Sequence, residues 1–207
     1  MSLGIGGVIL AAGESSRMGR DKALLPWPKD AGMPSPGGTI LSFAIKSLSP
    51  YCDFVIVVGG KNEDALRQVV YGCGAFLVRN PTPERGQFSS LQTGLRQVLN
   101  RGRDSAMVTL VDRPAPNAET LSQLVNAFVT RRHGIWATIP DYQGRHGHPI
   151  MIGREMIEEF LTAAPTANAR DIEHANQSRI SYLPVGDPQV ITNVDTPQDY
   201  ASLESKT

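Results

Sequence analysis

The residues best suited to chemistry in this chain fall directly after apolar runs. The first set is Leu10-Ala-Ala-Gly-Glu-Ser-Ser-Arg-Met-Gly-Arg-Asp-Lys22, which closes the run at 6–12. Its glycines and serines, with Arg17, Arg20 and Lys22, can wrap backbone N–H groups and positive charge around phosphates. The spacing is neither G-x-x-x-x-G-K-[ST] nor G-x-G-x-x-G, since Gly13 and Gly19 are six apart with no glycine between them. A polar surface connection is the competing reading, and the three cations tilt the balance towards phosphate. Lys22, closing such a loop, is expected to be exposed rather than buried.

Asp112 follows the run 107–111 and precedes Arg113-Pro114. A carboxylate at the mouth of a buried strand suits Mg²⁺, which takes one or two carboxylates together with phosphate oxygens. It equally suits the cap of a following helix. Asp195, in Ile191-Thr-Asn-Val-Asp-Thr-Pro197, has the same context, and there a helix start with an early proline is the stronger local reading. Two such aspartates together favour a shared cation. His146-Gly147-His148 puts two imidazoles on one face of an extended segment, without the further ligands that zinc needs. Arg79, Arg85, Arg96, Arg101 and Arg103 stand against Glu84 alone in 79–103, which reads as a solvated helix face or an anionic acceptor site.

The elements that must position these groups are legible in outline. Apolar runs at 6–12, 54–58, 75–78 and 107–111 alternate with helical spacing at 62–70, 89–99 and 118–129, with Ser89 or Ser90 placed to cap the second helix. That alternation predicts an α/β fold of three layers around a mostly parallel sheet, whose ligands gather at the carboxyl ends of the strands. The second half offers strands at 135–139, 149–152, 180–183 and 190–194 and helices at 155–161, 169–176 and 198–202. The first two of those strands, joined by a turn-rich segment, read as a hairpin. Residues 32–38 read as a loop, and Pro26-Trp27-Pro28 as extended chain.

With 207 residues, 41% hydrophobic and 19% charged, the composition is that of an ordinary globular domain. Twenty Lys plus Arg balance twenty Asp plus Glu, which argues against nucleic acid or an anionic membrane as partner. The longest apolar stretch, 54–58, is too short to span a bilayer. With no export signal at the start and two cysteines 21 residues apart, Cys52 and Cys73 are expected to be idle thiols in the cytoplasm.

Taken in order, LAAGESSRMGRDK at 10–22, LLPW at 24–27, NPTPERGQFSSLQTGL at 80–95, VDRP at 111–114, GRHGHPIM at 144–151 and NVDTPQDY at 193–200 resemble the nucleotidyltransferases that act on molybdopterin. The cytidylyltransferase branch is the nearer match and its guanylyl sister the alternative. The resemblance implies a Rossmann-like nucleotidyltransferase fold, with a hairpin insertion in the second half. One domain over 1–207 is implied, with about 1–115 serving the nucleotide and the remainder the acceptor. It implies that Leu10, Ala11, Ala12, Gly13, Ser15, Ser16, Arg17, Gly19 and Lys22 hold the nucleotide, Arg17 and Lys22 on the phosphates. Asp112 and Asp195 are implied Mg²⁺ ligands, with Lys22, Arg17 and Asp112 catalytic. Gln87, Ser89, Ser90 and His148 are implied on the acceptor side. Ala12 points to the cytidylyl branch, whose guanylyl relatives usually have glycine there. The chain departs from the family at Val111, commonly glycine, at Arg113, usually apolar, and in Gly86-Gln-Phe-Ser-Ser90.

The expected reaction is Mg²⁺-dependent transfer of a nucleoside monophosphate from CTP to the phosphate of molybdopterin, releasing pyrophosphate, with a molybdoenzyme as eventual client. The rivals are guanylyl transfer, transfer to another phosphorylated acceptor, and a non-catalytic insertion chaperone for the molybdenum cofactor. The chaperone has no need of the set Lys22, Asp112 and Asp195. A dehydrogenase lacks its dinucleotide fingerprint here.

Overall fold

The computed structural model describes residues 4–13, 18–27, 38–164 and 166–204. Eight strands form one sheet: β1 (Ile5–Leu10), β2 (Phe54–Gly59), β3 (Phe76–Arg79), β4 (Ser105–Leu110), β5 (Ala137–Tyr142), β6 (Arg145–His146), β7 (Ile150–Gly153) and β8 (Ile180–Pro184). Their order is β3-β2-β1-β4-β7-β5-β6, with β8 also pairing β5. The pairs β1·β2, β1·β4, β2·β3 and β5·β8 are parallel. Antiparallel β7 is inserted between β4 and β5.

Alternate residues of the central strands serve opposite faces of the sheet. Ile9, Val55, Val57 and Met107 pack against α1 (Ile40–Leu48), α2 (Glu63–Gly72) and α4 (Ala118–Val129). Val8, Ile56, Val58 and Val108 pack against α3 (Gln87–Asn100) and α5 (Arg154–Thr162). Burial on both faces is why these strands read as unbroken apolar runs. α3 lies so close to β1 that a Cβ at Gly94 would come within 2.5 Å of Val8 Cγ1. Two further helices, α6 (Ala169–Ala175) and α7 (Pro197–Glu204), complete the chain.

The predicted α/β class holds, and the hairpin expected of 135–139 and 149–152 appears as the β5·β7 pairing, Ala137 opposite Ile152. Two local expectations do not hold. Residues 190–194 are not a strand: Pro188–Ile191 form a 3-10 turn, because Pro188 has no N–H to give a ladder and the Asp187 carboxylate takes the Gln189 N–H at 2.9 Å. Neither Ser89 nor Ser90 caps α3, which begins two residues earlier with Gly86 at the N-cap. Besides these, α1 has no counterpart in the sequence pattern, although Thr39 and Ser42 form a reciprocal capping box at its start. Of the loop expected at 32–38, all but Gly38 lies outside the described residues; Pro26 is extended, bridging Thr39. Among the described residues no helix is long and apolar enough to cross a membrane.

Candidate active site

Chain order places β2 on one side of β1 and β4 on the other, so a crevice opens at the carboxyl ends of β1 and β4. A cavity of about 730 Å³ sits there, and Lys22, Asp112 and Asp195 line it together. Lys22 arrives on a 3-10 turn, Lys22–Leu24, whose start is capped by Asp21 Oδ1 accepting from Ala23 N at 3.0 Å. Contrary to the exposed position expected of it, Lys22 is only 8% exposed. The two carboxylates are the reason: Nζ donates to Asp195 Oδ1 at 2.8 Å and lies 3.5 Å from Asp112 Oδ2. A buried ammonium needs such partners.

Neither aspartate is a helix cap. Asn117 caps α4 by accepting from Thr120 N at 2.8 Å, and Thr196 accepts from Asp199 N at 3.2 Å at the start of α7. The two carboxylates are thereby left facing Lys22. The chain around Asp195 is pinned to the segment that follows β4, with Val194 N donating to Asp112 O at 2.8 Å. Asn193 Nδ2 donates to Asp195 Oδ2 at 2.5 Å. Asp112 Oδ1 and Asn193 Oδ1 are both buried without a hydrogen-bond partner. Among the described residues no group of three His, Cys, Asp or Glu is placed to hold a metal, so the donor set here is two carboxylates and an amide oxygen.

Leu10, Ala12 and Gly13 line the same cavity. Ala11 does not, because its side chain is buried in the core beside Ile9. Ser15, Ser16 and Arg17 lie outside the described residues, and Gly19 turns the returning chain with φ of 67°. Both ends of the loop are tied to Asn62, whose Nδ2 donates to Ala11 O at 2.9 Å and to Asp21 Oδ2 at 2.6 Å, while Oδ1 accepts from Gly60 N. Gly60 is the residue that fits under the loop: a Cβ there would stand 2.8 Å from Ala12 O.

A second cavity of about 910 Å³ adjoins the first, and Leu10, Gly86, Gln87, Leu110 and Arg113 line both. His148 is in its wall, half-buried, with its buried Nδ1 lacking a partner. Burial, with Arg113 nearby, pushes the His148 imidazole from 6.5 down to about 3, so it is neutral. Further round, His146 stacks on Tyr182 at 4.0 Å between centroids, and burial raises the Glu173 carboxyl above its ordinary value. Ser90 lines the first cavity. Ser89 lines neither: its hydroxyl accepts from Asn80 Nδ2 at 2.8 Å and donates to the Thr82 and Gly86 carbonyls.

The arginine-rich stretch separates by partner. Arg85 lines the second cavity, Arg79 reaches Glu63, Arg101 covers the Phe76 ring, and Arg103 pairs with Asp53 at 2.5 Å. Burial raises the Cys52 thiol to about 12, leaving it inert. The sequence alone assigns no role to Lys61, Asn62, Asn193 or Arg113. Lys61 and Asn62 follow the end of β2 as Asp112 follows β4, so the same strand-end rule reaches them. Arg113 was seen as a departure from a family pattern, with no sign that it would face both cavities.

A model of the MobA-like NTP transferase domain matches residues 7–180. A probable molybdenum cofactor guanylyltransferase of Mycobacterium avium is 27% identical, covering 98% of this chain and 96% of its own. The Escherichia coli molybdenum cofactor cytidylyltransferase is 24% identical, covering 96% and 95%. The crystal structure of Rv0371c from Mycobacterium tuberculosis superposes with a TM-score of 0.81 at 26% identity, covering 99% of each chain. Parallel strands ending on a polar crevice, and relatives that match along nearly the whole chain, agree: this is a nucleotidyltransferase, and the chain belongs to the MobA-like NTP transferase family.

Proposed function

We propose that the protein transfers a cytidylyl group from CTP to the terminal phosphate of a molybdopterin-type acceptor and releases pyrophosphate. The observation that carries this reading is the pair of adjoining cavities, one walled by Lys22 and two carboxylates, the other by His148 and Gln87. A nucleotide in the first presents its phosphates to an acceptor in the second. Ala12 is the ground for cytidine over guanosine.

A divalent cation fits the first cavity: the partnerless Asp112 Oδ1 and Asn193 Oδ1, beside Asp195, are the hard oxygens that Mg²⁺ prefers. Bound there, Mg²⁺ supplies charge neutralisation for the triphosphate. The chain's own groups do the rest. Lys22 holds the two carboxylates in register and offers a buried ammonium to phosphate oxygens. The neutral His148 and the Gln87 amide orient the acceptor without adding charge. An acceptor phosphate oxygen forms its bond to the α-phosphorus as the bond to the β-phosphate oxygen breaks. The electron pair leaves on pyrophosphate, so no protein nucleophile takes part and positioning supplies much of the rate. The test is incubation with each NTP, Mg²⁺ and molybdopterin, following pyrophosphate. CTP should outpace GTP in side-by-side kinetics. A clear GTP preference overturns the base assignment, and no pyrophosphate with any NTP overturns the reaction.

A further inference from the structure

Arg113 stands where the two cavities meet and lines both. Its Nε is buried and has no hydrogen-bond partner. Its backbone is fixed by the bond from Arg113 N to Leu110 O at 3.1 Å, so the side chain starts from the end of β4 and not from a free loop. Asp112 and Asp195 are near enough to favour its charge, and Arg145 near enough to oppose it. Yet no ion pair joins Arg113 to a carboxylate among the described residues. A desolvated guanidinium N–H without an acceptor is expensive. A phosphate oxygen is the acceptor whose charge and shape match it.

We propose that Arg113 spans the two substrates, one edge of its guanidinium on the donor's α-phosphate and the other on the acceptor's phosphomonoester, making the junction of the cavities a phosphate-pair site. The inference rests on reading the site as one that joins a nucleotide to a phosphorylated acceptor. Arginine suits the task because its planar fork carries five donors in fixed directions, whereas lysine offers a point charge. Two phosphates brought to bonding distance repel, and a shared cation between them opposes that repulsion throughout the displacement. Arg113 gives up no proton in the step; the bonds made and broken are those at the α-phosphorus.

The test uses binding, so that turnover is not needed. The probes are CMP and the ethyl ester of cytidine 5′-diphosphate with its bridging oxygen replaced by methylene, which adds an acceptor-side phosphate without a heterocycle. Guanosine counterparts are run beside them. Calorimetry is performed with Mg²⁺ and saturating pyrophosphate, so that the leaving-group side is filled. The wild-type protein should bind the ester about tenfold more tightly than the monophosphate, the range expected of hydrogen bonds to a charged group. Arg113→Gln should abolish that gain and, because the guanidinium also holds the α-phosphate, should weaken monophosphate binding by about tenfold as well. Arg113→Lys, which keeps the charge and protects against loss of folding, should retain a part of it. A gain that survives in Arg113→Gln, or in full in Arg113→Lys, overturns the role of Arg113 and leaves the nucleotidyltransferase reading standing. Absence of any gain in wild type overturns the phosphate-pair site. Failure of wild type to bind either nucleoside series overturns both readings together.

Discussion

Lys22 lies between Asp195 and Asp112, 2.8 and 3.5 Å from their oxygens, and this makes each of the three testable by removal of charge. Asp112→Asn keeps shape and an oxygen. As Asn117 already caps α4, the change should leave the melting temperature close to wild type. Turnover at saturating Mg²⁺ should nevertheless fall by about two orders of magnitude or more, the scale of losing a group that stabilises transition-state charge. A folded Asp112→Asn protein with near wild-type turnover removes Asp112 from the metal set. Asp195→Asn should show the same pattern more weakly. Lys22→Met leaves two carboxylates facing each other without their shared cation. Its melting temperature should drop without divalent ion and recover as Mn²⁺ is added, since a ligand that binds the native state stabilises it. Calorimetry should show tighter Mn²⁺ binding by the variant than by wild type, in the absence of nucleotide. Equal affinity in the two proteins would mean that Lys22 does not compete with the cation.

At the scale of elements, the start of α2 fastens the two ends of the loop that follows β1, because Asn62 holds Ala11 O, Asp21 Oδ2 and Gly60 N at once. Asn62→Ala should cost about 1–3 kcal/mol in urea denaturation, since buried groups lose their partners. It should also raise the KM for NTP more than it lowers kcat; an unchanged KM would free the loop from this anchor. The sheet's parallel half was legible in the sequence because strands buried on both faces are written as continuous apolar runs, as in 54–58 and 107–111. So was Asp112, since ligands in such sheets gather at strand ends. What escaped was set by contacts distant in sequence. α1 is buried along one face by Leu41, Ala44, Ile45 and Leu48 but follows a stretch of glycine and proline that masks its start. The segment at 190–194 looks apolar enough for a strand, yet Val194 is buried against Met18, Leu25 and Trp27 instead of in a ladder. Lys22 reads as a surface residue until Asp195, 173 positions later, is brought against it.

For the whole molecule, His148 ties stability to pH. Its imidazole is held near 3 in the folded chain and returns to 6.5 when unfolded, so between these values the unfolded state binds the extra proton. Its contribution is therefore complete above pH 6.5 and declines as pH falls towards 3, by about 1.4 kcal/mol per pH unit. Glu173, raised by burial, acts in the opposite sense. The comparison must therefore be His148→Gln against wild type, and the variant should lose less stability between pH 6.5 and 4 in parallel denaturation curves. Identical slopes would show that the imidazole is not kept neutral. The pinning of Val194 to Asp112 O, with Tyr200 reaching the Pro26 carbonyl, also orders events during synthesis. Asp195 is synthesised after Lys22 and Asp112, and the same stretch closes over Trp27, which is 6% exposed in the folded chain. A nascent chain halted before residue 188 should therefore show a red-shifted, quencher-accessible Trp27, with Lys22 still lacking its Asp195 partner. Burial of that indole, followed by fluorescence against Trp27→Phe, then reports the moment at which Asp195 joins Lys22 and Asp112.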